Sequence, residues 1–263
     1  MKVLITGGGS GLGRALARYY VQRGAHVVVA DIRLDRAEET LASLSGSGHL
    51  AALVDVASEA SWAALRTRVD QHFAGRLDVL INNAGVASAG WLPQTAPEEW
   101  DRVISINLSS VYRGTRHFTP MLLAQGRGLI LNTASFAALA MAPSTGVYGV
   151  AKAGVLAFSE ILRAELVHQK IHVACLCPSF FETNLLESCA PGQERMRDTA
   201  QKLMRRSVLS ADDVARIAVQ AAEAGQFLIL PHKESRHLWR FRRWFPEWYF
   251  RKVVDYAKRL SNG

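Results

Sequence analysis

Short apolar runs alternate with longer amphipathic stretches along most of the chain. Runs at 3–6, 26–31, 50–54, 77–82, 128–132, 171–176 and 227–230 are nearly continuously apolar, the pattern of strands buried on both faces. Between them, stretches such as 13–23 and 58–73 place apolar residues at helical spacing. This alternation predicts an α/β fold, a parallel sheet with helices on both faces. Thr95-Ala96-Pro97-Glu98 reads as a capping box with proline near the helix start. The stretch 178–208 has no clear periodicity and reads as a mobile loop or lid. No repeat or low-complexity segment interrupts the pattern.

A length of 263 residues suits one large α/β core, taken here as 1–231, followed by an extension at 232–263. The extension repeats Leu238, Phe241 and Phe245, then Phe250, Val253, Ala257 and Leu260, at helical spacing. Two amphipathic helices broken at Pro246 follow from that spacing. The extension also changes the meaning of the net charge of +8, because it alone holds nine Lys/Arg against three Asp/Glu. Basic residues interleaved with Trp and Phe suit an anionic membrane surface. The alternative is packing against the body or a sister subunit, with the Arg heads solvated. No motif supports nucleic acid as a partner.

No apolar run is long enough to span a membrane, and the chain enters a strand pattern at once, which leaves no room for a signal peptide. Cys175, Cys177 and Cys189 form no Cys-x-x-Cys pair. Cys175 and Cys177 alternate in an apolar run and read as core packing in a reducing compartment. The localisation expected is cytoplasmic, with peripheral membrane contact through the extension. No metal ligands are assigned.

Thr6-Gly7-Gly8-Gly9-Ser10-Gly11-Leu12-Gly13 follows the first strand and opens the first helix. Glycines permit a tight turn and close approach of backbone to a pyrophosphate, and the helix N-terminus offers free N–H groups. Asp31 ends the second strand, where a carboxylate accepts from the adenosine ribose hydroxyls and repels a 2′-phosphate. NAD(H) is therefore favoured over NADP(H), a preference that Arg33, two residues on, would soften.

Further matches follow in order: Asp55-Val56 after the third strand, Asn82-Asn83-Ala84-Gly85 after the fourth, and Asn107 in the next helix. Ser135 follows the fifth strand, then come Tyr148 and Lys152, and Pro178-Ser179 and Thr183 follow the sixth. Over residues 2–231 this set resembles the short-chain dehydrogenase/reductase family, in its single-domain branch of about 250 residues. The resemblance implies a Rossmann-type doubly wound sheet of seven strands and a catalytic tetrad of Asn107, Ser135, Tyr148 and Lys152. It also implies Asp55 near the adenine, Asn83 lining the cofactor groove, Thr183 on the nicotinamide carboxamide, and a homodimer or homotetramer through the Asn107 and Tyr148 helices. The family's usual Pro-Gly after the sixth strand is Pro178-Ser179 here.

The residue types suit hydride chemistry. A phenol is a poor base at neutral pH, and a nearby ammonium lowers its pKa. Tyr148 and Lys152, four apart in a helical run, share a face. Tyr148 would exchange a proton with the substrate oxygen, Ser135 would hydrogen-bond that oxygen, and Asn107 would support a proton path. Residues 179–209 would cover the substrate. Phe180, Phe181, Leu185, Leu186, Met196, Leu203, Met204 and Leu209 there favour an apolar body, unless they only pack the lid to the sheet. Arg195, Arg197, Arg205 and Arg206 lie between them. The expected activity is NAD(H)-dependent interconversion of an alcohol and a ketone or aldehyde on a lipophilic small molecule. An epimerase or dehydratase on the same scaffold, and a catalytically silent NAD(H)-binding or membrane-docked protein, are the alternatives.

Overall fold

In the computed structural model, which describes residues 1–189 and 194–261, the apolar runs form one seven-stranded parallel sheet. The strands are β1 (Lys2–Thr6), β2 (His26–Asp31), β3 (Leu50–Leu53), β4 (Val79–Asn82), β5 (Gly128–Thr133), β6 (Ile171–Leu176) and β7 (Leu228–Ile229). Their order is β3-β2-β1-β4-β5-β6-β7, so the chain winds one way from β1 to β3 and the other from β4 to β7. Val3↔Val27 on one side of β1 and Val3↔Val79 on the other fix the register at this reversal. Ligands of such sheets bind at the carboxyl ends of the strands where the winding reverses.

Helices cover both faces. α1 (Gly11–Gln22), α2 (Leu34–Ala42) and α9 (Ala211–Glu223) bury Leu16, Tyr20, Ala37 and Val219 against Val3, Ile5 and Val29. On the other face, α3 (Glu59–Phe73), α5 (Ser110–Gln125) and α7 (Gly146–Leu166) bury Trp62, Leu65, Phe118 and Leu122 against Leu4, Leu80 and Ile130. Alternate residues of β1 thus enter opposite cores, the period-two rule of a strand buried on both sides. Local signals set the helix ends. The Ser58 side chain accepts from the Ser61 N–H at the start of α3, and Ser210 with Asp213 forms a reciprocal capping box at the start of α9. Cys175 and Cys177 are buried with their Sγ atoms 4.0 Å apart, as expected of core thiols on one strand face.

Three expectations are corrected. α4 (Pro97–Ile104) begins with proline in its first turn, but Ala96 is the N-cap and makes no side-chain hydrogen bond. Thr95 instead donates back to the Trp91 carbonyl, because the short 3₁₀ turn Leu92–Gln94 brings that oxygen within reach. The stretch 178–208 is not free of regular structure. It holds a 3₁₀ turn, Asn184–Ser188, and α8 (Glu194–Arg205), whose largely polar sequence hides its helical period. The side chains of Arg195 and Met196 lie outside the described residues. Third, several strands are shorter than their apolar runs, since Leu77 and Val54 are buried beyond the ends of β4 and β3.

α6 (Ala137–Ala140) follows Ser135, and the extension forms α10 (Lys233–Trp244) and α11 (Pro246–Ser261), broken at Pro246 as read from the sequence. Among the described residues no helix is long and apolar enough to cross a membrane.

Phe118 is fully buried with its ring 6.3 Å from that of Trp62, edge to face. Phe118→Ala should cost about 3–5 kcal/mol of unfolding free energy, read as a lower urea midpoint at unchanged slope. A loss under about 1 kcal/mol would mean that this core collapses around the gap.

Candidate active site

The turn between β1 and α1 closes on itself where only glycine fits. A Cβ on Gly13 would stand 2.1 Å from the Gly7 carbonyl oxygen, and Gly7 and Gly11 take positive φ of 63° and 46°. Ser10 caps α1 in extended conformation with no side-chain hydrogen bond, so the first N–H groups of the helix remain available to an anion. Leu12 is buried and anchors the first turn to the core. Four side chains brace the turn from outside. The Gly9 N–H donates to Asp31 Oδ2 at 2.8 Å, Arg14 donates to the Gly9 carbonyl at 2.7 Å, and Thr40 donates to the Gly8 carbonyl at 3.0 Å. Asn83 Nδ2 donates to the Thr6 and Gly7 carbonyls at 3.0 and 3.2 Å. Asn83 therefore acts as a brace of the glycine turn. Ala84 sits directly against Gly7, since a Cβ there would meet the Ala84 Cα at 2.8 Å.

A dinucleotide fits this arrangement: glycine backbone for a pyrophosphate, then a carboxylate at the end of β2 for a ribose. Asp31 Oδ1 accepts from the Arg33 N–H at 3.0 Å, and each carboxylate oxygen retains a lone pair for a hydroxyl. The cations near it are paired. Arg33 makes two hydrogen bonds to Asp35, of 3.0 and 2.6 Å, and Arg36 reaches Glu187 at 3.0 Å. Asp55 Oδ1 accepts from the Ala57 N–H at 2.9 Å, which shapes the turn after β3, and the Val56 carbonyl accepts from the buried Trp62 indole.

Asn107, Ser135, Tyr148 and Lys152 come together at the carboxyl edge of β4 and β5. Asn107 lies in a π-helical stretch, Ser105–Ser109, inserted between α4 and α5. Such bulges turn a side chain out of the regular helical sequence of directions. The Asn107 amide exchanges two hydrogen bonds with the Val86 backbone, at 2.8 and 2.9 Å. Gly85 keeps room between Asn107 and Lys152: a Cβ there would stand 3.0 Å from Asn107 Oδ1 and 3.4 Å from Lys152 Nζ. Lys152 Nζ donates to the Thr133 carbonyl at 2.8 Å and lies 5.9 Å from the centre of the Tyr148 ring. Ser135 Oγ accepts from the Ala137 N–H at 3.1 Å.

Burial raises the Tyr148 pKa above the ordinary tyrosine value, and the Ser135 hydroxyl opposes the rise. The Lys152 ammonium is directed at the Thr133 carbonyl. Burial also draws Lys152 down, to about 8. The ladder continues past the strand ends, with Ala134 N–H on the Leu176 carbonyl and Phe136 N–H on the Pro178 carbonyl, so Ser135 and Pro178 face the same edge. Ser179 gives its N–H to His232 Nδ1 at 3.3 Å. Thr183 rests against Gly11, with its hydroxyl accepting from the Leu185 N–H. A cavity of about 650 Å³ opens there, between Gly11, Thr183, Glu187, Arg197, Met204 and Arg205. The lid thus covers the pyrophosphate end of the cleft. The Arg36–Glu187 bridge and the contacts of His232 had no sequence signal, since their partners are 151 and 53 residues away.

Over residues 1–194 the chain matches the short-chain dehydrogenase family, and it belongs to that family of oxidoreductases. It is 35% identical over 198 residues to a probable oxidoreductase, EphD, of Mycobacterium tuberculosis. That match covers 73% of this chain but 33% of the relative, so the chain spans about a third of the length of that protein. A short-chain dehydrogenase/reductase from Burkholderia phymatum, solved in complex with NAD, is 30% identical with a TM-score of 0.88, over 94% of each chain. A short-chain dehydrogenase from Sphingobium yanoikuyae in complex with NADPH is 26% identical with a TM-score of 0.78, over 98% of this chain and 93% of that one.

The buried ammonium generates a pH prediction. Folded Lys152 holds its proton less tightly than the ordinary lysine value of 10.5, so its charge costs stability below pH 8, and the cost disappears as pH rises from about 8 to 10.5. Lys152→Met should raise unfolding free energy at pH 7, by at most about 3 kcal/mol before the lost Thr133 hydrogen bond is counted. That advantage should shrink toward pH 10. Urea unfolding at both values checks this, and a variant less stable than its parent at pH 7 contradicts it.

Proposed function

We propose that the chain is an NAD(H)-preferring oxidoreductase that interconverts an alcohol and a ketone or aldehyde on a lipophilic small molecule. The convergence of Tyr148, Ser135, Lys152 and Asn107 at the carboxyl edge of the sheet, beside a turn fit for a pyrophosphate, carries the reading. The bound nicotinamide supplies or accepts the hydride. Tyr148 gives its phenolic proton to the carbonyl oxygen in reduction and takes it back in oxidation. The Tyr148 phenol carries its proton near neutral pH, the form that donates in reduction. Ser135 orients the same oxygen. Lys152, seated on the Thr133 carbonyl, places its ammonium beside the Tyr148 ring. Asn107 holds the Val86 backbone beside Lys152.

Asp31, together with the pairing of Arg33 to Asp35, supports NAD(H), because no nearby cation is left unpaired to receive a 2′-phosphate. Leu186 and Met204, which line the cavity beside Thr183, support an apolar substrate body, whereas Phe181 packs into the core. Tyr112 on α5 and Val150 and Ile161 on α7, all exposed, support a homo-oligomer through these helices. The basic extension extends the reading to work beside an anionic membrane surface.

Asp31→Ala should narrow the preference for NADH over NADPH, measured as kcat/KM with each. Comparable efficiencies in the unmodified protein would sink the preference. Tyr148→Phe should lower turnover of a confirmed alcohol by about 10²–10⁴-fold while leaving NADH binding close to that of the parent. Substantial residual turnover would assign the proton to another group.

A further inference from the structure

The hairpin of α10 and α11 has an inner side and an outer side of opposite character. On the inner side Ser235 is buried and Trp239 packs on the cluster of Val111, Leu139, Val155 and Leu230. Arg242 donates to the Leu139 carbonyl, and the Tyr249 hydroxyl donates to the Ala140 carbonyl at 2.7 Å. These are terminal carbonyls of α6, which a helix cannot satisfy for itself. The hairpin therefore grips the turn that carries Ser135, and His232 at its base holds the Ser179 N–H on the neighbouring loop.

The outer side carries an aromatic corner. Phe245 leaves the helical conformation, at φ −131° and ψ 62°, where Pro246 breaks the helix. The Phe241 ring holds the corner, 5.1 Å from Phe245 and 4.8 Å from Trp248. Trp244 is 79% exposed, Phe245 57%, Trp248 51% and Phe250 60%. Arg240, Arg243, Arg251 and Lys252 surround them, exposed. None of these four forms an ion pair with an acidic side chain among the described residues.

We infer that this corner is an interfacial anchor: Trp244, Phe245, Trp248 and Phe250 enter the headgroup boundary of an anionic bilayer, with the surrounding Arg and Lys on the lipid phosphates. The inference deepens the membrane reading above and rests on it. Aromatic rings flanked by cations are what such a boundary accommodates. A second copy is disfavoured as occupant, because a two-fold contact of this corner with itself would bring Arg240, Arg243, Arg251 and Lys252 toward the same four cations. The bond to α6 gives the docking a direction. Met141 is exposed directly after the gripped carbonyls, so a docked hairpin would bring the turn that carries Ser135 close to the lipid phase.

The test uses the full chain and vesicles of phosphatidylcholine with 30% phosphatidylserine, compared with phosphatidylcholine alone. Co-sedimentation is expected with the anionic vesicles only, weakening as salt is raised. Tryptophan emission should shift to the blue on binding, and Trp244→Phe with Trp248→Phe should remove most of that shift. Replacing Trp244, Phe245, Trp248 and Phe250 by Ser should weaken binding at least tenfold, with circular dichroism and NADH binding unchanged. Absence of vesicle binding at low salt overturns the proposal. So does a fall in oligomeric mass of the four-Ser variant with vesicle binding retained, which would make the corner a subunit contact, or equal displacement by duplex DNA and by anionic lipid. Vesicle binding needs no turnover, so the loss of one reading is read separately from the loss of the other.

Discussion

No side chain fits between Gly13 and the Gly7 carbonyl, and that single close approach sets the course of α1 against the sheet. It brings the helix N-terminus to the carboxyl end of β1, at the point where the winding reverses, and leaves its first N–H groups open. Everything that braces the turn comes from a different element: Asp31 from β2, Thr40 from α2, Asn83 from the end of β4, Arg14 from α1 itself. Each of those side chains satisfies a backbone group of the tight turn, so the turn is a junction of β1, β2 and β4.

The second constraint is a buried charge. Lys152 is almost fully enclosed, with one carbonyl for its ammonium, an arrangement that lowers its proton affinity and weakens the fold near neutral pH. A core built for stability alone would place an apolar side chain there. Its place next to Tyr148 is what the proposed proton chemistry would call for, since sites that handle protons trade local stability for a displaced pKa. The π-helical stretch that turns Asn107 toward Val86, and the glycine at 85 that leaves the space beside Lys152, belong to the same device.

The extension is tied to this device. Arg242 and Tyr249 hold α6, α6 follows Ser135, and His232 holds the loop that begins at Pro178. Whatever the outer face of the hairpin meets, its inner face is hydrogen-bonded to the short helix that follows Ser135.

Much of this was legible in the chain. The apolar runs located all seven strands, because strands buried on both faces leave little choice of residue, and the break at Pro246 followed from its missing N–H. The glycine turn, Asp31 and the Tyr148/Lys152 pair were legible because each depends on spacing within one strand, turn or helix. What escaped were features whose cause lies elsewhere in the fold: α8 with its weak period, the failed cap at Thr95, Asn83 as a brace, Lys152 directed at Thr133, and the bonds of Arg36 and His232 to distant loops. The sequence by itself determined the order of elements and the residues available for chemistry, since these rest on local geometry and burial period. Only the tertiary structure decided which groups face each other and how far their proton affinities move, because hydrogen-bond partners and desolvation are set by neighbours far away along the chain.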